Sequence, residues 1–431
     1  MPSGLTRRKF IKTGAAVSLA AAAAPGSALG ANDRIRLGFI GVRNRGGQLL
    51  KAAMRNDDVD VVALCDVDES VLNKAVERVE GKVATYRDCR EMLERDDIDA
   101  VVIATPDHWH ALQTIWACDA GKDVYVEKPL SMTIVEGRRM VEAARRNNRI
   151  VQVGTHRRSS TLMPQLCELI RQGKVGKVTV ARCYRISNMY PDGIGKAPDT
   201  DPPPGMDWDM WLGPRPARPF SPTIHPYKFR WRKLYSSQVG NWGVHYFDLI
   251  RWLLDEEAPA SISAHGGRYA VDDDRTIPDT LEAIFEFASG RLLIFGQYEA
   301  SNNKAMKGGD AELRGTLGTI YAGGSSFEIV PETGGQFQSR DPRMEPMNVK
   351  GSDGDLTVAH MRNFLDCVKS RETPNADVEE GHRSTTFAHL ANIALEAKSR
   401  IEWDAKQERI TSPKAANKLL HYEYRAPWKL T

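Results

Sequence analysis

Short apolar runs alternate with helix-forming stretches through the first third of this 431-residue chain, and this pattern constrains the fold most. Each run is almost continuously apolar, and each is followed by an amphipathic stretch such as "RGGQLLKAAMRN". Strands of that kind are typical of a parallel sheet that helices cover on both faces. The five predicted strands cover residues 34–42, 59–68, 99–110, 123–131 and 150–156. The sequence therefore predicts an α/β domain over residues 31–155.

The second half of the chain follows a different pattern. Residues 177–187 alternate apolar and polar side chains, and residues 281–301 do so on both sides of a serine–glycine turn. A period of two on both arms of a tight turn predicts a β-hairpin in an antiparallel sheet. Two helical stretches, "VAHMRNFLDCVKSR" and "GHRSTTFAHLANIALEAKSR", follow. We therefore predict a second, α+β domain over residues 156–405, with a C-terminal tail at 406–431.

Residues 188–233 lie inside the second domain and are rich in proline, glycine and tryptophan. A loop of this length without regular structure is usually either functional or disordered. Its aromatic residues argue against disorder. We predict a lid-like segment that leans over a cleft.

The first thirty residues have the composition of a targeting segment. "TRRKFIK" is a twin-arginine signature, an alanine-rich stretch follows it at residues 14–25, and "SALGAN" offers small residues for cleavage. A membrane anchor is the alternative, but the apolar run is too short and too rich in alanine to favour one. We expect the twin-arginine translocase to export the folded chain to the periplasm, with residues 1–30 as the signal peptide.

Charge and cysteine content narrow the possible partners. The formal net charge is +3, but the leader carries four basic residues and no acidic one, so the remainder has a net charge of −1. That balance gives no sign of a nucleic-acid partner. The six cysteines are scattered and show neither a C-x-x-C motif nor metal-ligand spacing with histidines. We expect buried free thiols and no metal site.

The stretch "GFIGVRNRGG" follows the first predicted strand and opens the first predicted helix. Gly41 and Gly46 occupy the first and third glycine positions of a dinucleotide-binding loop, while Arg43 occupies the second. Asp66 follows Gly46 by 20 residues, at the end of the second strand. A carboxylate there binds ribose hydroxyls and repels a 2′-phosphate, so NAD is favoured over NADP. The alternative is a parallel domain that binds no nucleotide. The cofactor-binding residues predicted here are Gly41, Arg43, Asn44, Arg45, Gly46 and Asp66.

The ends of the third and fourth predicted strands carry further polar groups. Ligands bind beyond the carboxyl ends of the strands in parallel sheets. Lys128, in "VEKPLS", lies at such an end, where an ammonium group can help a bound hydroxyl to lose its proton; the alternative is an ordinary surface lysine. "ATPDHWH" ends the third strand, but two histidines and one aspartate are too few for a metal site. The cofactor-binding candidates at these two ends are Thr105, Pro106, His110, Glu127 and Lys128.

The stretch "SSQVGNWGVHYFDLIRWLLD" predicts a helix with two different faces. Leu249 and Leu253 belong to an apolar stripe at helical spacing. Asn241, His245 and Asp248 lie four and three residues apart, on one face of any helix that includes them. His245 is therefore either a hydrogen-bonded core histidine or a group that faces a cleft and transfers protons.

Together these motifs resemble the glucose–fructose oxidoreductase / inositol dehydrogenase (Gfo/Idh/MocA) family, and more narrowly its exported bacterial branch. The resemblance spans residues 34–400 and rests on the leader, the three motifs above, "GNWGVHYFDL" and "HMRNFLDCVKSRETPNADVEEGHRSTT". It implies a Rossmann NAD(P)-binding domain followed by an α+β domain with a large, mostly antiparallel open sheet. It also implies oxidation or reduction of sugars, inositols or related polyols, and homo-oligomers formed through the open sheet.

The resemblance also implies roles for three catalytic residues. Lys128 would be the active-site lysine of the E-K-P motif, and His245 the histidine that exchanges a proton with the substrate hydroxyl. Many members have an aspartate where this chain has Asn241, which orients groups by hydrogen bonds but carries no negative charge. Either Asp248 substitutes for that aspartate, or the site relies on Lys128 and His245 alone. Arg43 is a second departure, which either crowds the cofactor pyrophosphate or forms a salt bridge with it.

Three functions are compatible with the resemblance. The first is an exported oxidoreductase with tightly bound NAD, since periplasmic proteins meet little free NAD. The second is a redox-neutral, NAD-dependent glycosidase that works through a 3-keto intermediate and returns the hydride to the sugar. The third is a catalytically weakened, carbohydrate-binding member, which Asn241 and Arg43 favour but the retained Lys128 and His245 oppose.

Five further side chains are weaker candidates for contact with substrate. His156 and Arg157 follow the fifth predicted strand. Trp208, Trp211 and Trp231 lie in the lid-like segment, where they either stack on a sugar face or pack within the loop.

Overall fold

The computed structural model describes residues 34–430. The predicted signal peptide, residues 1–30, lies outside the described residues. Two sheets organise the described chain, one with six strands and one with ten.

The first sheet is the parallel sheet that the alternating pattern predicts. Its strands lie in the order β3-β2-β1-β4-β5-β6, and every neighbouring pair is parallel. This is the Rossmann order, in which ligands bind where the order reverses, between β1 and β4. The strands are β1 (Ile35–Ile40), β2 (Val59–Cys65), β3 (Ala84–Tyr86), β4 (Ala100–Ile103), β5 (Asp123–Val126) and β6 (Val151–Val153). The helices of this domain are α1 (Asn44–Ala53), α2 (Glu69–Val76), α3 (Cys89–Leu93), α4 (His110–Asp119) and α5 (Ile134–Arg146).

The structure corrects the predicted strands in two ways. The third and fourth predicted strands end early, at Ile103 and Val126, because polar residues and the prolines Pro106 and Pro129 follow. Proline cannot donate to a strand ladder, so neither strand continues past it. The sixth strand, β3, was not predicted, because three residues, two partly buried and one exposed, are too few to show a period.

The second sheet is mixed but mostly antiparallel. Its order is β14-β13-β12-β11-β7-β10-β9-β8-β15-β16, and among its described pairs only β7 and β10 run parallel. The predicted hairpin is the antiparallel pair β9–β10. The strands are β7 (Val178–Ile186), β8 (Ser261–Gly267), β9 (Thr280–Glu286), β10 (Leu292–Tyr298), β11 (Ala311–Gly315), β12 (Gly318–Ala322), β13 (Ser326–Pro331), β14 (Met347–Lys350), β15 (Ile401–Asp404) and β16 (Arg409–Ser412). The remaining helices are α6 (Met163–Arg171), α7 (Trp208–Leu212), α8 (Val244–Leu254), α9 (Leu356–Ser370) and α10 (Val378–Ala397).

Helices α8 and α10 pack on one face of the second sheet through aromatic side chains. The ring of Phe247, on α8, lies 5.3 Å from Phe285, 5.4 Å from Phe295 and 5.8 Å from Phe387, centroid to centroid. All four rings are buried, so this cluster contributes a large share of the hydrophobic stabilisation of the second domain. The cluster fixes α8 so that its N-terminal end reaches the end of β5 in the first domain.

The late part of the chain also covers the first domain, which the order of the predicted elements did not indicate. Met361 and Phe364, on α9, share a core with Leu37 of β1. The predicted C-terminal tail contains β16, and its Trp428 packs on Trp109 with ring centroids 5.1 Å apart. The two domains are therefore joined by long-range packing as well as by the chain.

All six cysteines are buried and unpaired, as expected. Burial raises the pKa of Cys89 and of Cys118 to about 12, so these side chains are thiols at neutral pH. Within residues 34–430, no three or more histidine, cysteine or carboxylate side chains are grouped in a way that would hold a metal ion. No helix in that range has the length and the hydropathy that crossing a membrane would require.

Candidate active site

The glycine loop between β1 and α1 depends on two close backbone contacts. Gly41 has a φ of +81°, and a Cβ there would lie 2.9 Å from the backbone of Ala104 and Thr105. A Cβ on Gly46 would lie 1.9 Å from the carbonyl oxygen of Gly41. Only glycine fits at either position. This is the tight turn and the close packing that a dinucleotide pyrophosphate requires at the start of a helix.

Asp66 follows β2 and lines the same cleft as Gly41. Its carboxylate accepts hydrogen bonds from the backbone N–H groups of Val42 and Asp68, each at 3.0 Å. Burial raises its pKa, and those two hydrogen bonds oppose the rise. The carboxylate is therefore fixed beside the glycine loop, at the position where a ribose-binding acid belongs.

The guanidinium of Arg43 turns toward an acid of the protein. It forms an ion pair with Asp68, whose other carboxylate oxygen caps α2 by accepting from the N–H groups of Ser70 and Val71. The sequence left open whether Arg43 crowds the cofactor pyrophosphate or salt-bridges it. The structure shows a third arrangement, in which the side chain is held by Asp68.

The segment 188–233 forms the opposite wall of the cleft. The residues of this segment that line the cleft are Met210, Trp211, His225, Pro226, Phe229 and Arg230. Backbone hydrogen bonds fasten the segment to the β2–α2 loop, from Asp207 N to the Val67 carbonyl at 2.9 Å and from Glu69 N to the Gly205 carbonyl at 3.1 Å. His108 adds a 2.8 Å contact from its Nε2 to the carbonyl oxygen of Trp211. The segment is thus packed over the cleft and attached to both domains.

The tryptophans of this segment are packing residues. Trp208 and Trp211 stack on each other with ring centroids 4.6 Å apart. Trp231 donates its indole N–H to both carboxylate oxygens of Glu299, at 3.1 Å. All three are buried, which favours packing for Trp208 and Trp231, while Trp211 packs in the segment and also lines the cleft.

Lys128 lies just beyond β5 and reaches across to the second domain. Its Nζ donates to the backbone oxygen of Asn241 at 2.8 Å and to the side-chain oxygen Oδ1 at 3.0 Å. Burial lowers the pKa of Lys128 to about 8, while the charges of Glu127 and Asp107 oppose that shift. The lysine is therefore an oriented ammonium group that loses its proton more easily than a surface lysine would.

Glu127 anchors the glycine loop to the E-K-P motif. Its Oε1 accepts a 2.7 Å hydrogen bond from Nε of Arg45, and the pair is largely buried. Burial raises the pKa of Glu127, but the positive charges of Arg45 and Lys128 outweigh it and hold that pKa below its ordinary value. A Cβ at Gly154 would lie 2.7 Å from the Glu127 carboxylate, so there is no space for a side chain behind it.

Asn241 and His245 lie at a change of helix type. Asn241 belongs to a π-helical turn, Val239–Gly243, and α8 begins immediately after it. The His245 ring is buried, and its Nδ1 has no hydrogen-bond partner among residues 34–430. Burial, followed by the charge of Lys128, lowers its pKa well below 6.5. His245 is thus a neutral imidazole at physiological pH, with one ring nitrogen not used by the described protein.

Two neighbours of His245 have different roles. The ring of His156 lies edge-on to that of His245 with centroids 5.3 Å apart, and burial lowers its pKa to about 3. Asp248 accepts from Nε of Arg158 at 2.8 and 2.9 Å and from the hydroxyl of Ser384 at 2.8 Å. Asp248 is therefore committed to a buried ion pair and does not replace the carboxylate that is missing at Asn241.

The remaining predicted cofactor-binding residues separate into two groups. Thr105 and Pro106 line the cleft, where Thr105 donates its hydroxyl to Gln113 at 2.7 Å. His110 is buried behind them, with Nδ1 2.7 Å from the Pro129 carbonyl and Nε2 3.0 Å from the Thr105 carbonyl. His110 therefore braces two strand ends and is not placed to touch a cofactor. The predicted residues that line the cleft are Gly41, Arg43, Asn44, Arg45, Asp66, Thr105 and Pro106.

The sequence reasoning missed Arg185, at the end of β7. Its guanidinium lies over the ring of Trp242, 4.2 Å from the centroid, next in the chain to Asn241. The alternation along β7 places Arg185 on the same side of the sheet as the buried Ala181 and Cys183. An arginine on the buried side of a strand was the available signal.

Comparison with known proteins places both domains in one family. A family model described as an oxidoreductase family with an NAD-binding Rossmann fold matches residues 35–155, and that family's C-terminal alpha/beta domain matches residues 173–430. The chain is 24% identical over 373 residues to myo-inositol 2-dehydrogenase of Thermotoga maritima, covering 85% of this chain and 98% of that protein.

Two further similarities are to a glycosyl hydrolase family protein and to the structure of a sugar dehydrogenase. Glycosyl hydrolase family 109 protein 1 of Shewanella sp. (strain ANA-3) is 32% identical over 154 residues, so the match spans only about a third of each protein, 34% in both cases. The structure of a levoglucosan dehydrogenase in complex with NADH superposes with a TM-score of 0.66 at 16% identity, covering 86% of this chain and 99% of the other. At that identity the superposition shows a shared fold.

Proposed function

Because the chain belongs to the Gfo/Idh/MocA oxidoreductase family, we propose that it is an NAD-dependent oxidoreductase acting on a hydroxyl-bearing carbon of a sugar, inositol or related polyol. One observation carries this proposal. Lys128, just beyond the carboxyl end of β5, donates to both oxygens of Asn241, and its charge acts on the neutral ring of His245. An oriented ammonium and a neutral imidazole are the two groups that oxidation of an alcohol requires from the protein.

The residues of the cleft fit NAD. When bound, NAD takes up the hydride that leaves the hydroxyl-bearing carbon. The turn at Gly41 and the start of α1 would hold the pyrophosphate, since a Cβ at Gly41 or Gly46 would meet the backbone. The fixed carboxylate of Asp66 would hold the adenosine ribose and disfavour the 2′-phosphate of NADP.

The proton of the substrate hydroxyl is taken by His245 in this proposal. Its ring is neutral at physiological pH and so is able to accept a proton. Lys128 donates a hydrogen bond to the same hydroxyl oxygen and stabilises the negative charge that develops there. Asn241 orients Lys128 through its two oxygens, and, unlike an aspartate, it leaves the pKa of Lys128 low.

A redox-neutral, NAD-dependent glycosidase is the second candidate. The similarity to glycosyl hydrolase family 109 proteins favours it, although that similarity spans a third of each chain. Such an enzyme oxidises C3, eliminates the aglycone across C1 and C2, adds water and returns the hydride. The first and the last step would use His245 and Lys128 as the dehydrogenase does. The two candidates differ in whether reduced nicotinamide accumulates.

We further propose that the chain is exported through the twin-arginine route and works in the periplasm. The leader sequence supports this proposal. Export of a folded chain would carry NAD with it, and the hydrogen bonds that join segment 188–233 across the cleft to the β2–α2 loop and to His108 favour tight retention. We also propose a homo-oligomer formed through the open sheet, supported by the exposed Ile284 on the uncovered face of β9.

The test begins with the purified chain after removal of residues 1–30. Nicotinamide released by denaturation is quantified first. The absorbance of reduced nicotinamide is then followed over time with free sugars, inositols and glycosides, alongside a His245→Asn variant. A matched control is His382→Asn, because His382 is also buried but pairs with Glu408 at 2.7 Å, away from the cleft.

The outcomes separate the candidates. Lasting reduction by a free sugar or polyol supports the dehydrogenase, and a transient signal that decays as free sugar appears supports the glycosidase. We expect His245→Asn to lower kcat by about 100-fold, which is typical for loss of a general base, and His382→Asn to leave kcat unchanged. The absence of bound nicotinamide together with no response to any compound would leave only the carbohydrate-binding member and would overturn both enzyme proposals.

A further inference from the structure

The cations around the active site differ in whether the protein satisfies them. Arg45 is paired with Glu127 at 2.7 Å, although one of its guanidinium nitrogens is buried without a described partner, and Arg157 is paired with Asp310 at 2.7 Å. Arg185 has no carboxylate within ion-pair distance among residues 34–430, and its Nε is buried without a hydrogen-bond partner in that range. The Arg185 side chain is partly buried: its Nε loses hydration that no described group replaces, and its terminal N–H groups have no described partner.

The position of Arg185 is fixed beside the proton-transfer residues. It is the penultimate residue of β7, and its guanidinium stacks on Trp242 at 4.2 Å. Trp242 follows Asn241 and precedes His245 by three residues. Stacking on an aromatic face holds the guanidinium plane and leaves its N–H edge free to donate.

The acids near Arg185 are already engaged. Glu299 accepts from Arg275 at 2.6 Å and from Trp231, and all three side chains are buried. Asp310 is held by Arg157. The charge of Arg185 also affects a neighbouring tyrosine. Burial raises the pKa of Tyr246 to about 12, and the positive charges of Arg157 and Arg185 oppose that rise. The surroundings of Arg185 therefore have more positive charge than the described carboxylates neutralise.

We propose that Arg185 binds an anionic group of the substrate, so that the natural substrate is an acidic sugar or polyol bearing a carboxylate, a sulfate or a phosphate. The proposal rests on the proposed function, because it assigns a substrate class to the same site. The planar fork of a guanidinium matches the two oxygens of such a group. Because Lys128 and His245 serve the reacting hydroxyl, the anionic group belongs on a carbon away from the one that is oxidised.

The experiment compares pairs of compounds that differ only in charge. Glucose is paired with glucuronate and galactose with galacturonate, and the sulfate and phosphate monoesters of each sugar are added to separate the three anionic groups. Methyl glycosides of the same compounds are included so that the glycosidase candidate is tested with substrates that it could cleave. The variant is Arg185→Met. The control is Arg182→Met, which lies on the same strand but pairs with Glu312 at 2.7 Å and is not part of the pocket.

We expect Arg185→Met to raise KM for the preferred acidic compound by about 10- to 100-fold, the range that loss of a charge-assisted hydrogen bond gives. The kcat for that compound and the KM for neutral sugars should change by less than about threefold, and Arg182→Met should behave as the unchanged protein. A purely structural role of Arg185 would instead affect acidic and neutral compounds alike, which would contradict the proposal.

A binding readout keeps the two proposals distinguishable. The melting temperature of the NAD-loaded protein is measured with each member of a pair. A rise in Tm with acidic compounds that is lost in Arg185→Met supports the anionic subsite even if no turnover is seen. If neutral sugars raise Tm or are oxidised as well as their acidic partners, the anionic subsite is wrong while the oxidoreductase stands. If no acidic compound raises Tm or reacts, the subsite is likewise overturned.

Discussion

The two walls of the cleft recognise their ligands in different ways. On the wall of the parallel sheet, three polar side chains are bonded to the protein itself, although one guanidinium nitrogen of Arg45 is buried without a described partner. Asp66 accepts from two backbone N–H groups, Arg43 is paired with Asp68, and His110 contacts two carbonyl oxygens. What this wall offers to a cofactor is mainly backbone, exposed by the turn at Gly41.

The wall of the second domain leaves side-chain groups open. His245 has a ring nitrogen, and Arg185 a guanidinium N–H, that are buried and without partners in the described range. Lys128 extends from the first wall toward this one. Two of its three N–H donors are used by Asn241, which leaves the third for a ligand. Buried polar groups without a described partner are rare in a stable fold, so each of these two groups marks a place where a ligand can bind, although such groups also occur elsewhere in the chain, at Arg45 and Arg215 among others.

The difference shows how such an enzyme divides its work. The cofactor, which many enzymes have in common, is bound by backbone groups that any chain with this turn would present. The substrate is recognised by side chains whose unsatisfied groups reduce stability when no ligand is bound. Substitutions should therefore affect catalysis strongly at the side chains that meet at the second wall, Lys128 included, and weakly at side chains that only line the first wall.

The largest effect is expected from Lys128→Met. Loss of the ammonium removes the group that stabilises the charge developing on the substrate oxygen, so we expect kcat/KM to fall about 1,000-fold. The unchanged protein should show kcat/KM rising with pH as His245 loses its proton below pH 6.5 and falling as Lys128 loses its own near pH 8. In Lys128→Met the alkaline fall should disappear. Steady-state rates across the pH range measure both changes.

The same substitution should stabilise the fold. The pKa of Lys128 is about 8 in the folded chain and 10.5 ordinarily, so the unfolded chain binds this proton more tightly. Below pH 8 the difference lowers the free energy of unfolding by its full amount, which is the penalty for burying the charge. That penalty vanishes as the pH rises past 10.5. We expect Lys128→Met to raise the free energy of unfolding by about 1–2 kcal/mol at pH 7 and not at pH 11. A control is Lys307→Met, since Lys307 is exposed, pairs with Glu328 at 2.6 Å, and its loss should not stabilise the fold.

Local patterns in the sequence predict the fold well where contacts are local. The alternation of apolar runs and helices predicts the first domain, and the period of two predicts the hairpin β9–β10, because neighbouring elements pair there. The return of α9 to the first domain, through Met361 and Phe364, depends on contacts made across more than 300 residues with Leu37. No period along the chain carries that information.

The same limit applies to the site. Lys128 and Asn241 were named from separate motifs, and only the fold brings them to 2.8 Å across 113 residues. The helix pattern put Asn241 and Asp248 on one face, but the π-helical turn before α8 and the pairing of Asp248 with Arg158 assign them different surroundings. Arg185 was missed because it belongs to no motif, and its unsatisfied guanidinium is apparent only from its surroundings.

A smaller effect is expected from Asn241→Asp. A carboxylate would replace the amide oxygen that lies 3.0 Å from Nζ of Lys128 and would raise the pKa of Lys128 from about 8 toward its ordinary 10.5. The alkaline fall of kcat/KM should therefore move to higher pH. The acid limb should also move upward, because a nearby negative charge makes His245 easier to protonate. At neutral pH we expect a change in rate of less than about tenfold.

The pH profile decides this prediction. Asn363→Asp is the control, because Asn363 lies on α9 and contacts Asn375, outside the cleft. Its profile should match that of the unchanged protein. If Asn241→Asp also leaves the alkaline limb in place, then Lys128 is not the group that titrates there, and its assignment as the donor to the substrate oxygen is wrong.

The smallest effect is expected from Arg43→Ala, on the first wall. Because the guanidinium is held by Asp68 and its side chain is 36% exposed, its loss should cost less than about 1 kcal/mol of stability. The affinity for NAD, measured by titration of the cofactor-free protein, should change less than about threefold, since backbone rather than Arg43 holds the pyrophosphate. Gly46→Val is the contrasting variant, because its side chain would meet the Gly41 carbonyl and should abolish binding. A tenfold or larger loss of affinity in Arg43→Ala would mean that its side chain leaves Asp68 for the pyrophosphate, and the contrast between a backbone wall and a side-chain wall would fail.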